Sequence, residues 1–214
     1  IAEFCAQPFS IFKKASNLEI KLASGIKEDM LEHEEKEYDE HVWLSLKNAK
    51  VLCSAISDAL QELDPDHKDA YAANTKTYLD ELAELDREYQ TVVDGAARKT
   101  VLFGDRFPFR YLVDDYGLNY YAAFAGCSAE SEASFETVSF LAKKVDELAL
   151  PCVLTIEGKD HKIAQTIVQN TKQKDQKVMT MDSMQATTSD DVKNGVTYLS
   201  VMEKDLAVLK QALN

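Results

Sequence analysis

Between Tyr71 and Val93 the larger side chains Tyr71, Tyr78, Leu82, Leu85, Tyr89, Val92 and Val93 recur mostly at spacings of three, four and seven. Those spacings keep side chains on one side of an α-helix. Pro65 suits a first helical turn, so the pattern predicts a helix from there to Asp94, roughly 28 residues and about 40 Å long. Asp94-Gly95 stops it. A helix of this length is a strut, and beyond it the chain changes from helical periodicity to short apolar runs alternating with amphipathic stretches. A compact lobe is therefore expected to begin near residue 99.

The runs that follow predict a regular lobe. Strands are expected over 100–104, 118–124, 152–156 and 177–181. Between them lie helical faces marked by Phe109, Leu112, Val113 and Tyr116, then by Phe135, Val138, Leu141, Ala142, Val145 and Leu148, then by Ile163, Ala164, Ile167 and Val168. A last helix carries Val192, Val196, Leu199, Met202, Leu206, Leu209 and Leu213. Four strand-to-helix alternations imply an α/β fold: a four-stranded, mostly parallel sheet covered on both faces, with a long backbone helix. Upstream, Ala49, Leu52, Cys53, Ile56, Leu60 and Leu63 form one more helical stripe, while 1–25 holds too little apolar material for a whole lobe and only a strand-like alternation over 18–22. The expected division is 1–64 as the remnant of an amino-terminal lobe with an acidic loop and first helix, 65–98 as connecting helix and linker, and 99–214 as the carboxy-terminal α/β lobe.

Composition narrows the function. Asp+Glu 37 against Lys+Arg 24 gives a net charge of -13, which repels phosphate backbones and removes the electrostatic term that nucleic-acid binding depends on. An acidic field favours cations instead. No apolar run approaches the length of a spanning helix, and Ile1 is not followed by a secretion signal. The interval 28–40 concentrates eight carboxylates around His33 with only Lys36 to offset them, a pattern expected of a mobile, solvated surface or a weak cation-gathering loop. Cys53 and Cys152 sit in apolar patterns and read as buried thiols; with Cys5 and Cys127 they form no compact zinc spacing.

Four polar residues gain meaning from the layout. Asp105, Glu157 and Asp182 each follow a predicted strand, and open α/β sheets bind ligands beyond those carboxyl ends; helix capping is the alternative role. His41 stands just before a helix, placed for metal binding or for a capping or packing role. His41 with Asp105 and Asp182 would supply one nitrogen and two or more oxygens, a partial shell suited to manganese or zinc.

Residues 39–45, Asp-Glu-His-Val-Trp-Leu-Ser, followed by a helix, the Leu63-Asp64-Pro65 entry, the Tyr71, Asn74 and Tyr78 pattern, Tyr116-Gly117-Leu118 and Met181-Asp182-Ser183-Met184, resemble the zinc- and manganese-binding extracellular receptors of bacterial ABC metal-uptake transporters. The resemblance covers roughly 26–214. It implies metal ligation by His41, by Asp105 within Phe103-Gly104-Asp105-Arg106-Phe107, and by Asp182. Glu40 stands where the family usually has proline, Asp105 where it has histidine or glutamate, and the amino-terminal lobe with the first ligand is expected to be largely missing.

What the resemblance implies is a non-enzymatic, extracellular, cell-surface or periplasmic lipoprotein receptor. Its transported ligand is zinc or manganese, its partner an ABC transporter permease, and its membrane association peripheral, through an anchor outside this chain. It binds no nucleic acid. A truncated receptor is the expected form, and a non-metal-binding remnant acting as a partner-binding module is the alternative. An α/β hydrolase is disfavoured, since no nucleophile elbow, ordered triad, HExxH, P-loop or dinucleotide fingerprint is present.

Overall fold

A computed structural model describes residues 39–124, 133–158 and 160–214. The expected strand over 18–22, the acidic interval 28–38, Cys5, His33 and Cys127 lie outside the described residues. Among those described, 42–88 form one compact unit and 39–41 with 89–214 a second.

The first unit opens with a 3-10 turn, Val42–Leu44, leading into helix α1, Leu46–Leu63. Ser45 starts α1 because its hydroxyl accepts a hydrogen bond from Asn48 N at 3.0 Å, satisfying one of the amides a helix start leaves open. Pro65–His67 forms another 3-10 turn, and helix α2, Lys68–Asp94, continues from it as the expected strut. The stripe read from the sequence is buried at Leu82, Leu85, Tyr89 and Val93, whereas Tyr71 and Tyr78 are only half-buried. Tyr71 instead donates its hydroxyl to Asp64 Oδ2 at 2.9 Å, tying the strut to the turn before it. Lys50 of α1 pairs with Asp86 of α2, Nζ to Oδ2, at 2.7 Å.

The second unit is the expected α/β lobe. Its elements are β1 (Thr100–Phe103), α3 (Arg110–Asp115), β2 (Asn119–Ala122), α4 (Phe135–Leu148), β3 (Cys152–Thr155), α5 (Lys162–Gln169), β4 (Lys177–Thr180), α6 (Ser189–Lys193) and α7 (Tyr198–Ala212). The four strands are parallel in the order β2-β1-β3-β4, with Thr100 beside Asn119 and Cys152 beside Lys177. Pleating sends alternate residues to opposite faces. Leu102 and Val153 enter a core with Val138, Leu141, Val145, Ile167 and Val168, while Phe103 stacks on Phe109 with centroids 5.4 Å apart. Among the described residues, no helix is long and apolar enough to cross a membrane.

Two expectations need correction. Cys53, read as a buried thiol, is only half-buried, while Cys152 is buried. The last apolar stripe is two helices, because Gly195 adopts a positive φ of 90° and Thr197 restarts the chain as the cap of α7, its hydroxyl accepting from Ser200 N. Val192, read as part of the inward face, lies on α6 and is 60% exposed.

Candidate metal centre

The order β2-β1-β3-β4 reverses between β1 and β3, so connections from these neighbours leave in opposite directions and open a crevice at their carboxyl ends. Asp105 and Glu157 follow β1 and β3 there, and Asp182 follows β4 at the same edge.

Asp105 owes its position to the residue before it. A β-carbon on Gly104 would lie 2.5 Å from Ala164 Cα, closer than real atoms approach, so the absence of a side chain at 104 is what admits α5 against the end of β1. Gly104 N donates to Leu154 O at 2.8 Å, extending the β1–β3 contact. Asp105 then spans the crevice: Oδ1 accepts from Arg106 N at 2.8 Å and Oδ2 from Ile156 N at 3.4 Å. Phe107 and Phe109 hold the same loop from its far end, Phe107 stacking on Tyr120 at 3.8 Å. A cleft of about 550 Å³ opens beside it, lined by Asp105, Arg106, Asp160, Lys162, Phe124 and Ile163 among others.

His41 is 1% exposed. Its ring Nδ1 lies 2.8 Å from Asp39 Oδ1, and a carboxylate only accepts, so Nδ1 carries the proton and Nε2 is the basic nitrogen of the neutral ring. Asp39 is anchored in turn. Tyr111 donates its hydroxyl to Asp39 O at 2.8 Å, and Arg110 Nε stands 3.9 Å from Asp39 Oδ2. Both partners open α3, the helix entered from the Asp105 loop, so residues 39–41 are fastened to the carboxyl end of the sheet.

Asp182 is half-buried. Its Oδ1 accepts from Met184 N at 2.8 Å, and its own amide donates to Asp205 Oδ1 at 2.8 Å. Among the described residues, the metal-binding side chains whose ligand atoms gather within 4.8 Å are Asp39, Glu40 and His41. His41 is in that group; Asp105 and Asp182 are not. Both stand at strand ends of the same edge.

Three further residues shape the site in ways the sequence pattern does not show. Asp39 stands in the sequence as one of the acids of 28–40, and its place two residues before a histidine lets one carboxylate oxygen reach both ring and backbone. Glu157 was noted after β3, yet its two oxygens serve the Asp182 loop. Asp205 sits at an inward position of α7 between Met202 and Leu206, and an acid on an apolar stripe is the signal that would have exposed it. Burial pushes its carboxyl up to about 8 against the pull of the Asp182 amide, with the charges of Asp182 and Glu157 adding to the rise.

The profile of the family described as ZnuA, zinc-uptake complex component A, periplasmic, matches residues 6–212. The chain belongs to the ZnuA family. It is 32% identical over 175 residues to the zinc-binding lipoprotein AdcA of Streptococcus pneumoniae, an alignment covering 82% of this chain and 34% of AdcA. To the high-affinity zinc uptake system protein ZnuA of Bacillus subtilis it is 29% identical over 175 residues, covering 82% of this chain and 53% of that protein. The Zn(II)-bound ZnuA-like domain of Streptococcus pneumoniae AdcA superposes with a TM-score of 0.67 at 30% identity, over 82% of this chain and 64% of that one. The chain thus spans about a third to a half of the curated relatives it matches. ZnuA-family proteins are uptake components rather than enzymes, which removes the hydrolase alternative.

Proposed function

We propose that this chain is the metal-receiving part of an extracytoplasmic receptor for an ABC importer. It would take zinc or manganese as cargo through His41 Nε2 and the carboxylates of Asp105 and Asp182, and hand the ion to a permease. The three-part division at 65 and 99 fits this role, with a connecting helix before the receiving lobe.

The observation that carries the reading is the state of His41. A buried imidazole whose Nδ1 proton is committed to a carboxylate is held in the tautomer in which Nε2 is the nitrogen that binds transition metals. Asp105 and Asp182 add hard oxygen donors from the same edge of the sheet. One nitrogen with two carboxylates suits zinc, and suits manganese better than an all-histidine shell does. The zinc-binding relatives weigh toward zinc.

Calorimetric titration of the metal-free chain with zinc and with manganese tests the assignment. His41→Ala, Asp105→Ala and Asp182→Ala are each expected to weaken binding. Unchanged affinity after both carboxylate replacements would reject this ligand set, and loss confined to Asp39→Ala, Glu40→Ala and His41→Ala would move the ion to the 39–41 group.

A further inference from the structure

After β4 the backbone turns sharply through 182–185, and each of its four amides donates to a carboxylate. Asp182 N reaches Asp205 Oδ1 at 2.8 Å, Ser183 N reaches Glu157 Oε2 at 2.7 Å, Met184 N reaches Asp182 Oδ1 at 2.8 Å, and Gln185 N reaches Glu157 Oε1 at 3.1 Å. The Ser183 hydroxyl donates to Glu157 Oε1 at 2.6 Å, and Ser183 is fully buried. Met184 takes a positive φ of 62°, unusual for a side chain with a β-carbon, which the surrounding bonds hold in place. The run of amide dipoles offsets the mutual repulsion of the neighbouring Asp182 and Glu157 carboxylates.

We propose that Glu157 is a positioning residue for the metal. By clamping both sides of the turn it fixes Asp182 so that Oδ1 is taken by Met184 N and Oδ2 alone is offered to the ion. This rests on the reading of Asp182 as a ligand. Glu157 is suited to the task because both of its oxygens face backbone N–H groups. A glutamine there keeps one acceptor and turns an NH₂ toward an amide that needs an acceptor, so the isosteric change opens one side of the clamp.

The test is zinc affinity by competition with a chromophoric chelator, together with the visible spectrum of the cobalt(II)-loaded chain, which reports ligand geometry. Glu157→Gln is expected to weaken zinc binding roughly ten- to hundredfold, the range found when groups supporting a metal ligand are changed, and to alter the cobalt bands. Ser183→Ala removes only the hydroxyl donor and is expected to weaken binding roughly threefold; it decides the matter if Glu157→Gln does not fold. Asp182→Asn separates the two claims. If it leaves zinc binding intact, Asp182 is not a ligand and the parent reading falls. If it weakens binding while Glu157→Gln, or the folded Ser183→Ala in its place, retains parental affinity and cobalt spectrum, the positioning role is overturned.

Discussion

Asp39 accepts two hydrogen bonds from His41 through one oxygen, from ring Nδ1 at 2.8 Å and from the backbone amide at 2.9 Å. The ring is therefore set in both tautomer and direction before any ion arrives. Removing the carboxylate frees the ring to rotate and to shift its proton. Asp39→Ala is expected to weaken zinc binding roughly ten- to hundredfold, with Asp39→Asn falling between it and the parent because the amide oxygen still accepts. Chelator competition at fixed pH and salt measures this, and parental affinity in Asp39→Ala would contradict it.

Gly104→Ala places a methyl group against Ala164 Cα, where only a shift of α5 can make room. Overpacking of this kind costs about 1–3 kcal/mol. The melting temperature should fall accordingly. Because Asp105 is the next residue, zinc affinity should fall in the same variant. A variant with parental stability would show that α5 yields without strain.

Tyr89 is fully buried, stacks on Tyr116 with centroids 5.3 Å apart, and donates its hydroxyl to Met202 O at 2.7 Å. Tyr89→Phe keeps the ring and loses the donor, leaving a buried carbonyl with one partner fewer. A loss of about 1 kcal/mol is expected, read as a lower denaturant midpoint with an unchanged slope. Zinc affinity should not move, since Tyr89 contacts none of the proposed ligands.

The parts of the fold legible in the sequence were those with a repeating physical signal. The strut showed itself because Leu82, Leu85, Tyr89 and Val93 bury one side of a helix, and the strands because short apolar runs such as Cys152 to Thr155 are buried throughout. The break before α7 was hidden by the apolar residues on either side, which continue one helical pattern across Gly195 although its backbone leaves the helix. At the candidate site, positions just after strands pointed to Asp105 and Asp182. What those residues bond to depends on partners 23 and 51 positions away, Asp205 for the Asp182 amide and Ile156 N for Asp105, and no local pattern encodes such pairings.

The pH dependence of folding should carry the mark of Asp205. It is 1% exposed, and Asp182, Glu157 and the buried phenol of Tyr89 bear on it. Its folded value of about 8 exceeds the ordinary aspartate value of about 3.9. The folded chain therefore holds this proton where the unfolded chain has lost it, and stability falls as pH rises from about 4 to about 8, by up to ~1.4 kcal/mol per pH unit, then levels off. Asp205→Asn does not titrate. In the metal-free protein its melting temperature relative to the parent should climb between about pH 5 and pH 8 and stay constant above about pH 9. A difference independent of pH would show that the carboxyl titrates normally.

The turn at 182–185 reverses a familiar association. Amides outside helices and strands usually trade their hydrogens with solvent fastest, because nothing must open for them to do so. Here the four amides belong to no helix or strand, yet each is bound to a carboxylate, two of them to the same side chain from β3's end. Exchange at Ser183 and Gln185 would require Glu157 to let go, so these two protons should leave together and slowly. On the proposed reading of Asp182 as a ligand, a loop this still would have little motional freedom left to lose when an ion is captured.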